Sequence, residues 1–348
     1  MSQHTQESLS RHRRMACRWV GTVLLGAGLT AAHGQAAPPR GTVHTDSLWS
    51  QSLGATKALT VYLPPSYRVS SARRYPVLVY LHGLTGDERN WVDAGRLDRT
   101  LDSLFAAGQP EAIVVMPDGD DGWYTTWNGL ADLPGCRADR VRKEPADAYC
   151  VPWQHYDDYI ARDIVAHVDG RYRTYADGRH RGIAGLSMGG YGAVALALAY
   201  PDVFAAAASH SGVLSPRYLG PTPFASPPQY AGTTAELERS SRGLWRYMAP
   251  AFGRDTIGWA ARDPAELARR AMAARRMGAS RAPALPRLLI DCGVNDQYIN
   301  QNRDFHQTLL RLGVSHQYAE WPGAHTWGYW TAHAPQSVSF LLATVGAP

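Results

Sequence analysis

Cysteine is scarce, four in 348 residues, and no two of the four form a Cys-x-x-Cys pair. His-x-x-x-His pairs are absent as well, so no structural metal site is expected. Charge of one sign is also lacking. The formal +5 falls to about +2 once residues 1–36 are set aside, because that segment holds Arg11, Arg13, Arg14 and Arg18 against Glu7. A near-neutral remainder offers no electrostatic footprint for nucleic acid. The apolar run 19–32 is too short to cross a bilayer. Internal repeats and long low-complexity tracts are missing too. What is present is apolar: 45% hydrophobic residues and 10% aromatics suffice for a sizeable core, and the length allows one large α/β domain or two smaller ones.

The N-terminus reads as a signal peptide over residues 1–36. A basic stretch ends at Arg18, the apolar run follows, and Gly34 and Ala36 supply the small residues of a cleavage site. A secreted or periplasmic protein with no stable membrane anchor after cleavage is expected, and residues 37–348 read as a single domain. Cys17 leaves with the signal. Cys136 and Cys150 flank a polar loop and are expected to pair in an oxidising compartment, constraining the loop by about 3 kcal/mol. Cys292 ends the apolar run 288–292 and reads as a buried free thiol.

Near-continuous apolar runs at 75–81, 112–116, 182–184, 204–210 and 288–292 have the character of parallel strands buried on both faces. Residues 58–63 and 316–320 alternate in the manner of half-exposed strands. Helical spacing recurs at 97–105, 159–168, 191–199 and 299–312, the last stopping at Gly313. Strands alternating with helices predict a mostly parallel sheet covered on both faces. Two segments break the alternation, 121–157 and 214–285. Both follow strands, so both are expected as insertions over the sheet edge where α/β sites form. In the second, Asp263, Pro264 and Glu266 predict a helix start with a capping box.

The sharpest local signal is Gly185-Leu186-Ser187-Met188-Gly189-Gly190, set between a strand and a helix. A tight turn there strains the serine backbone and brings neighbouring chain close, which the glycines on either side permit. Ser187 then stands at a helix N-terminus, where free N–H groups can stabilise an oxyanion. The bland reading is a serine that merely caps the helix. A nucleophilic serine needs a base held by a carboxylate, in the chain order Ser, acid, His on this topology. His325 lies in a Gly/Pro loop after the last strand and is the preferred base, with His333 in reserve. His210, His306 and His316 read better as structural. Asp296 is the preferred acid, on the loop three residues past Gly293, with Asp291 as the turn residue. The Leu84 N–H, in the glycine-containing loop 81–87, joins the Met188 N–H as oxyanion donors. His82 reads as ordering that loop. Trp123, Trp127, Trp327 and Trp330 are candidates for lining the acyl or alcohol site.

Five motifs in order, Leu81-His82-Gly83-Leu84, Met116-Pro117-Asp118-Gly119, the Ser187 hexapeptide, Asp291-x-Gly293-x-x-Asp296 and Gly323-x-His325-x-Trp327, resemble the esterase D-type esterase family over about residues 45–345. That family of α/β-hydrolases includes S-formylglutathione hydrolases, feruloyl and short-chain acyl esterases, and secreted mycolyltransferases. The resemblance implies an α/β-hydrolase fold with inserted loops over the active site, a triad of Ser187, Asp296 and His325, and Leu84 and Met188 as oxyanion donors. The expected function is a secreted serine carboxylesterase without metal or other cofactor, acting on a small-molecule or polysaccharide-linked ester. Acyl transfer to a sugar or lipid alcohol is the alternative, since water and alcohol compete for one acyl-enzyme.

Overall fold

The computed structural model describes residues 39–138, 145–277 and 284–346; the signal-peptide reading of residues 1–36 lies outside them. The strands are β1 (Thr42–Ser50), β2 (Ala55–Leu63), β3 (Val77–Leu81), β4 (Ile113–Pro117), β5 (Arg181–Leu186), β6 (Ala206–His210), β7 (Tyr218–Gly220), β8 (Gln229–Tyr230), β9 (Arg287–Gly293) and β10 (His316–Trp321). Eight of them form one sheet in the order β1-β2-β4-β3-β5-β6-β9-β10, while β7 and β8 make a separate ribbon. From β4 to β10 every pairing is parallel, whereas β2 runs antiparallel to both β1 and β4. The central strands β3, β4, β5 and β6 are buried at every position, which is why they read as unbroken apolar runs.

Helices cover both faces. The principal ones are α1 (Leu97–Ala106), α2 (Met188–Ala199), α3 (Pro264–Arg276), α4 (Ile299–Leu312) and α5 (Trp327–Val345). Because side chains alternate along a strand, Leu78, Val114, Ala184 and Leu289 meet Leu101, Phe105, Val338 and Leu341 of α1 and α5 on one face. Val79, Val115, Ile183 and Leu288 meet Val194, Ile160, Phe305 and Leu309 on the other. Each fully buried Leu or Ile contributes about 1.5–3 kcal/mol. α2 is buried almost all round, the signature of a helix with no water-facing side.

Two helix ends show their local chemistry plainly. Gly313 closes α4 at φ 72°, a left-handed angle that glycine adopts without a Cβ penalty. At the start of α3, Asp263 Oδ1 accepts from the Ala265 N–H at 2.9 Å, with Pro264 in the first turn. The expected capping box does not close. Glu266 turns outward to Arg269 and Arg270 instead, because two cations one turn ahead compete for its carboxylate. β1 is a strand without a clear sequence signal. Its polar, half-exposed residues suit a sheet edge but give a weak alternation.

The two insertions both pack against α2, where Trp123 of the first meets Tyr191 edge-on and Arg262 O of the second accepts from Tyr191 Oη–H at 2.8 Å. The first is tied by the Cys136–Cys150 disulfide, with a Cα–Cα distance of 5.7 Å, and Cys292 is a buried free thiol. Lys57, wholly buried, reaches into this insertion. Its Nζ donates to Ala148 O and to Asp120 Oδ1, both at 2.8 Å, and pairs with Asp118 at 2.5 Å. These two carboxylates outweigh burial and push the Lys57 ammonium pKa up, while the same ammonium holds Asp118 well below the usual carboxylate range. The second insertion reaches the first through Arg262, whose Nε and Nη2 donate to Thr126 O at 3.1 and 2.9 Å.

Candidate active site

β5 delivers the chain into the turn at Ser187, which has φ 53° and ψ −116°. A non-glycine residue holds such angles only where its surroundings over-determine them. Here the surroundings are backbone: Ser187 N–H donates to His210 O at 3.0 Å and Tyr191 N–H to Ser187 O at 3.0 Å. The flanking glycines permit this closeness. A Cβ on Gly185 would stand 2.3 Å from Gly189 O, and one on Gly189 would stand 2.4 Å from Leu81 O and 2.5 Å from His82 O. Although Ser187 occupies the N-cap position of α2, its side chain makes no capping hydrogen bond. The bland reading therefore fails, and the hydroxyl is free for another partner.

That partner is His325. Ser187 Oγ–H donates to His325 Nε2 at 2.9 Å, and His325 Nδ1–H donates to Asp296 Oδ2 at 2.8 Å. Ionised Asp296 can only accept, so the proton on Nδ1 leaves Nε2 as the acceptor facing the serine. The side chain of Asp296 is wholly buried and that of His325 is 21% exposed. Tyr298 N–H donates to Asp296 Oδ1 at 2.8 Å, which leaves Oδ2 for the histidine. The two loops are stitched together by backbone. Asn295 N–H donates to Gly323 O and Val294 N–H to Trp321 O, both at 2.9 Å. Gly293 has room for no side chain, since a Cβ there would lie 2.5 Å from Gly323 O. Tyr298 and Trp330 stand edge-on to the His325 ring at centroid distances of 5.1 and 4.9 Å, confining it without competing for its nitrogens.

The loop after β3 completes the surroundings of Ser187. A Cβ on Gly83 would lie 3.5 Å from Ser187 Cβ and 2.7 Å from Leu186 Cδ1, so glycine is what lets this loop approach. Leu84 follows at once, and Met188 opens α2, where a first-turn N–H has no intrahelical acceptor. His82 holds the loop from inside. Its Nδ1 meets Gly83 O at 2.8 Å while its Nε2 accepts from the Gly119 N–H at 2.9 Å. Asp121 Oδ1 accepts from the Thr85 N–H at 2.6 Å, a tether that only the packing of the first insertion on this loop reveals.

Other candidates sit elsewhere. His333, the reserve base, stacks on Trp321 and lies against Tyr329 inside α5. His306 and His316 pair with each other, nitrogen to nitrogen at 2.7 Å. Asp291 is wholly buried beside His210 and does not reach His325. Trp123 corrects an expectation: it is fully buried in the core, edge-on to Tyr191 and Phe252, so it supports the insertion rather than lining an accessible wall. Trp127 is half-buried and donates from Nε1 to Gly122 O at 3.0 Å. Trp327 packs edge-on to Trp91 and Trp330. Tyr298 was missed in the sequence, although its place two residues past Asp296 is a usable signal.

The pattern that defines the family described as "Putative esterase" matches residues 50–341. The chain belongs to this esterase family. It is 28% identical over 281 residues to an esterase of Mycobacterium tuberculosis, an alignment spanning 79% of this chain and 54% of that protein. An endo-1,4-beta-xylanase/feruloyl esterase of Xylanibacter ruminicola is 27% identical over 167 residues, 47% of this chain and 20% of that one. The chain thus spans about half the length, or less, of these curated relatives. Among solved structures, a ferulic acid esterase superposes with a TM-score of 0.63 at 27% identity, covering 88% of this chain and all of that one. The S-formylglutathione hydrolase of Staphylococcus aureus superposes with a TM-score of 0.60 at 22% identity, covering 88% and 98%. This second likeness speaks to the α/β-hydrolase fold.

Proposed function

We propose that this esterase-family protein is a secreted serine carboxylesterase working through an acyl-enzyme on Ser187. The observation that carries the reading is the continuous line from Ser187 Oγ through His325 to Asp296, at 2.9 and 2.8 Å. His325 removes the Ser187 proton as Oγ attacks the ester carbonyl, and the N–H groups of Met188 and Leu84 stabilise the oxyanion. The tetrahedral intermediate collapses as His325 protonates the leaving alcohol. Water then attacks the acyl-enzyme by the same steps in reverse, while Asp296 orients His325 and stabilises its charged form. Residues 1–36 act as the export signal and residues 37–348 as one domain; the Cys136–Cys150 disulfide is compatible with an oxidising compartment. The substrate class is a small-molecule or polysaccharide-linked ester, with Trp127 and Trp327 flanking its site.

The test is a panel of nitrophenyl esters of increasing acyl length plus methyl ferulate. Ser187→Ala is expected to abolish turnover, and activity that survives it would sink the mechanism. Asp296→Asn is expected to lower kcat by roughly four orders of magnitude through the wrong histidine tautomer. A larger loss in Asp291→Asn than in Asp296→Asn would reverse the assignment of the acid. Product analysis with an added sugar or lipid alcohol separates hydrolysis from acyl transfer.

A further inference from the structure

The line from Ser187 to Asp296 leaves a second carboxylate and imidazole unused. Asp291 and His210 have wholly buried side chains, with His210 Nδ1 2.7 Å from Asp291 Oδ2 in a close contact whose geometry does not form a hydrogen bond. On its other side His210 Nε2 is 2.8 Å from Ser337 Oγ. Ser337 in turn meets Tyr80 Oη at 3.0 Å and donates to Ala334 O at 3.0 Å. The remaining oxygen of Asp291, Oδ1, accepts from Tyr329 Oη–H at 2.8 Å. A buried pair of this kind adds little stability over apolar side chains of the same volume. Stability alone therefore does not account for an acid and an imidazole in the core.

What the pair holds does account for it. The main-chain oxygen of His210 accepts the Ser187 N–H at 3.0 Å, and that of Asp291 accepts the Ser211 N–H at 2.8 Å. Ser211 itself sits at φ 52°, so the chain leaving β6 is bent hard around the Ser187 turn, and Val213 N–H returns to Ser187 O at 3.4 Å. The Tyr329 ring lies over Gly323, where a Cβ would be 2.6 Å from Cδ2. Gly323 is two residues before His325 and is the glycine whose carbonyl accepts the Asn295 N–H. One side of Asp291 therefore lies packed against His210, whose carbonyl holds the nucleophile turn, and the other is hydrogen-bonded to Tyr329, which covers the histidine turn.

We propose that Asp291, His210 and Tyr329 are positioning residues for the Ser187 reaction, fixing the Ser187 turn and the His325 turn to one buried carboxylate. This rests on the reading of Ser187, His325 and Asp296 as the catalytic line. None of the three touches the reacting atoms. They act by setting the distance between the serine and the histidine, where about 1 Å of misplacement costs about 100-fold in rate.

The experiment compares the full chain with Tyr329→Phe and Asp291→Asn, measuring kcat and KM on a nitrophenyl ester and the rate of covalent capture of Ser187 by a fluorophosphonate. Tyr329→Phe removes one hydroxyl and keeps the ring over Gly323. Expected is a fall in kcat of about 10- to 100-fold, with KM within about two-fold and fluorophosphonate capture slowed in parallel. The loss is expected to persist well below the melting transition of each variant. A merely structural pair would instead show lower melting temperatures with kcat restored on cooling. Values of kcat within about two-fold of the parent for both variants, or restoration on cooling, would overturn the proposal. If Asp291→Asn does not fold, Tyr329→Phe decides alone. Turnover that survives Ser187→Ala marks failure of the catalytic reading, and this inference falls with it; a loss or its absence in Tyr329→Phe alone cannot produce that result.

Discussion

Replacing Gly189 with alanine tests the Ser187 turn with a sign that helix propensity gets wrong. Gly189 is the second residue of α2, where alanine ordinarily gains about 0.5–1 kcal/mol over glycine. In this turn the new Cβ would stand 2.4 Å from Leu81 O and 2.5 Å from His82 O. Restoring an ordinary contact near 3.4 Å requires one backbone segment to yield by about 1 Å, and neither is a flexible side-chain end. Overpacking of this kind costs about 1–3 kcal/mol, leaving a net loss of up to about 2.5 kcal/mol after the propensity gain. The displacement has only two places to go. Either α2 retreats and carries Ser187 with it, or the loop retreats and carries Gly83 and Leu84 away from Ser187. Under the proposed mechanism both misplace a reacting group or an oxyanion donor, so kcat is expected to fall about 100-fold while KM changes little. Urea unfolding supplies the stability change and steady-state hydrolysis of a nitrophenyl ester supplies kcat. A Gly189→Ala protein as stable as the parent, with kcat within two-fold, would refute the close-approach argument.

Gly170→Ala is the matched control, since nothing lies within 4 Å of its Cβ position. At this exposed position near the end of the helical stretch Val165–Arg171 it is expected to raise stability by about 0.5–1 kcal/mol, read by urea midpoint, with kcat unchanged. Replacing Cys136 and Cys150 together with serine removes a crosslink of sequence separation 14. A loss of about 3 kcal/mol is expected, and unchanged melting would show that the loop needs no tether. Asp46 provides a pH test. Burial pushes its carboxyl up, but hydrogen bonds from His167, Tyr172 and the Ser47 N–H, with Arg171 beside it, hold it down to about 2. A depressed folded pKa means that its stabilisation is full above about pH 4 and disappears as pH falls through 2. Asp46→Asn is therefore expected to cost about 1–2 kcal/mol at pH 7, discounted for partial exposure, with the two melting curves converging near pH 2.

Much of this molecule was legible in short stretches of sequence. Five buried strands announced themselves as apolar runs because both faces of a parallel sheet are covered. The Ser187 turn announced itself through glycines whose absent Cβ atoms are a local requirement of strand-to-helix geometry. Gly313 and Asp263 marked helix ends for equally local reasons. The edge strand β1 escaped because a half-exposed antiparallel edge needs no apolar run, and the capping box failed because Arg269 and Arg270 claimed Glu266.

The choice between Asp291 and Asp296 shows where local reading stops. Both close the same strand or its loop, and their sequence contexts differ little. The parallel register of β6, β9 and β10 turns Asp291 inward against His210 and Tyr329, while the backbone bonds between 294–295 and 321–323 carry Asp296 to His325. Trp123 is a second case, since nothing in its neighbourhood says whether an indole faces a pocket or the core. Sequence by itself determined the central strands, the helices between them, their order and the Ser187 turn, because glycine content and apolar periodicity act over a few residues. Which carboxylate meets the histidine, and which one is left to brace the turns, was decided only by the tertiary structure, because both depend on the pairing of strands about eighty and twenty-eight residues apart.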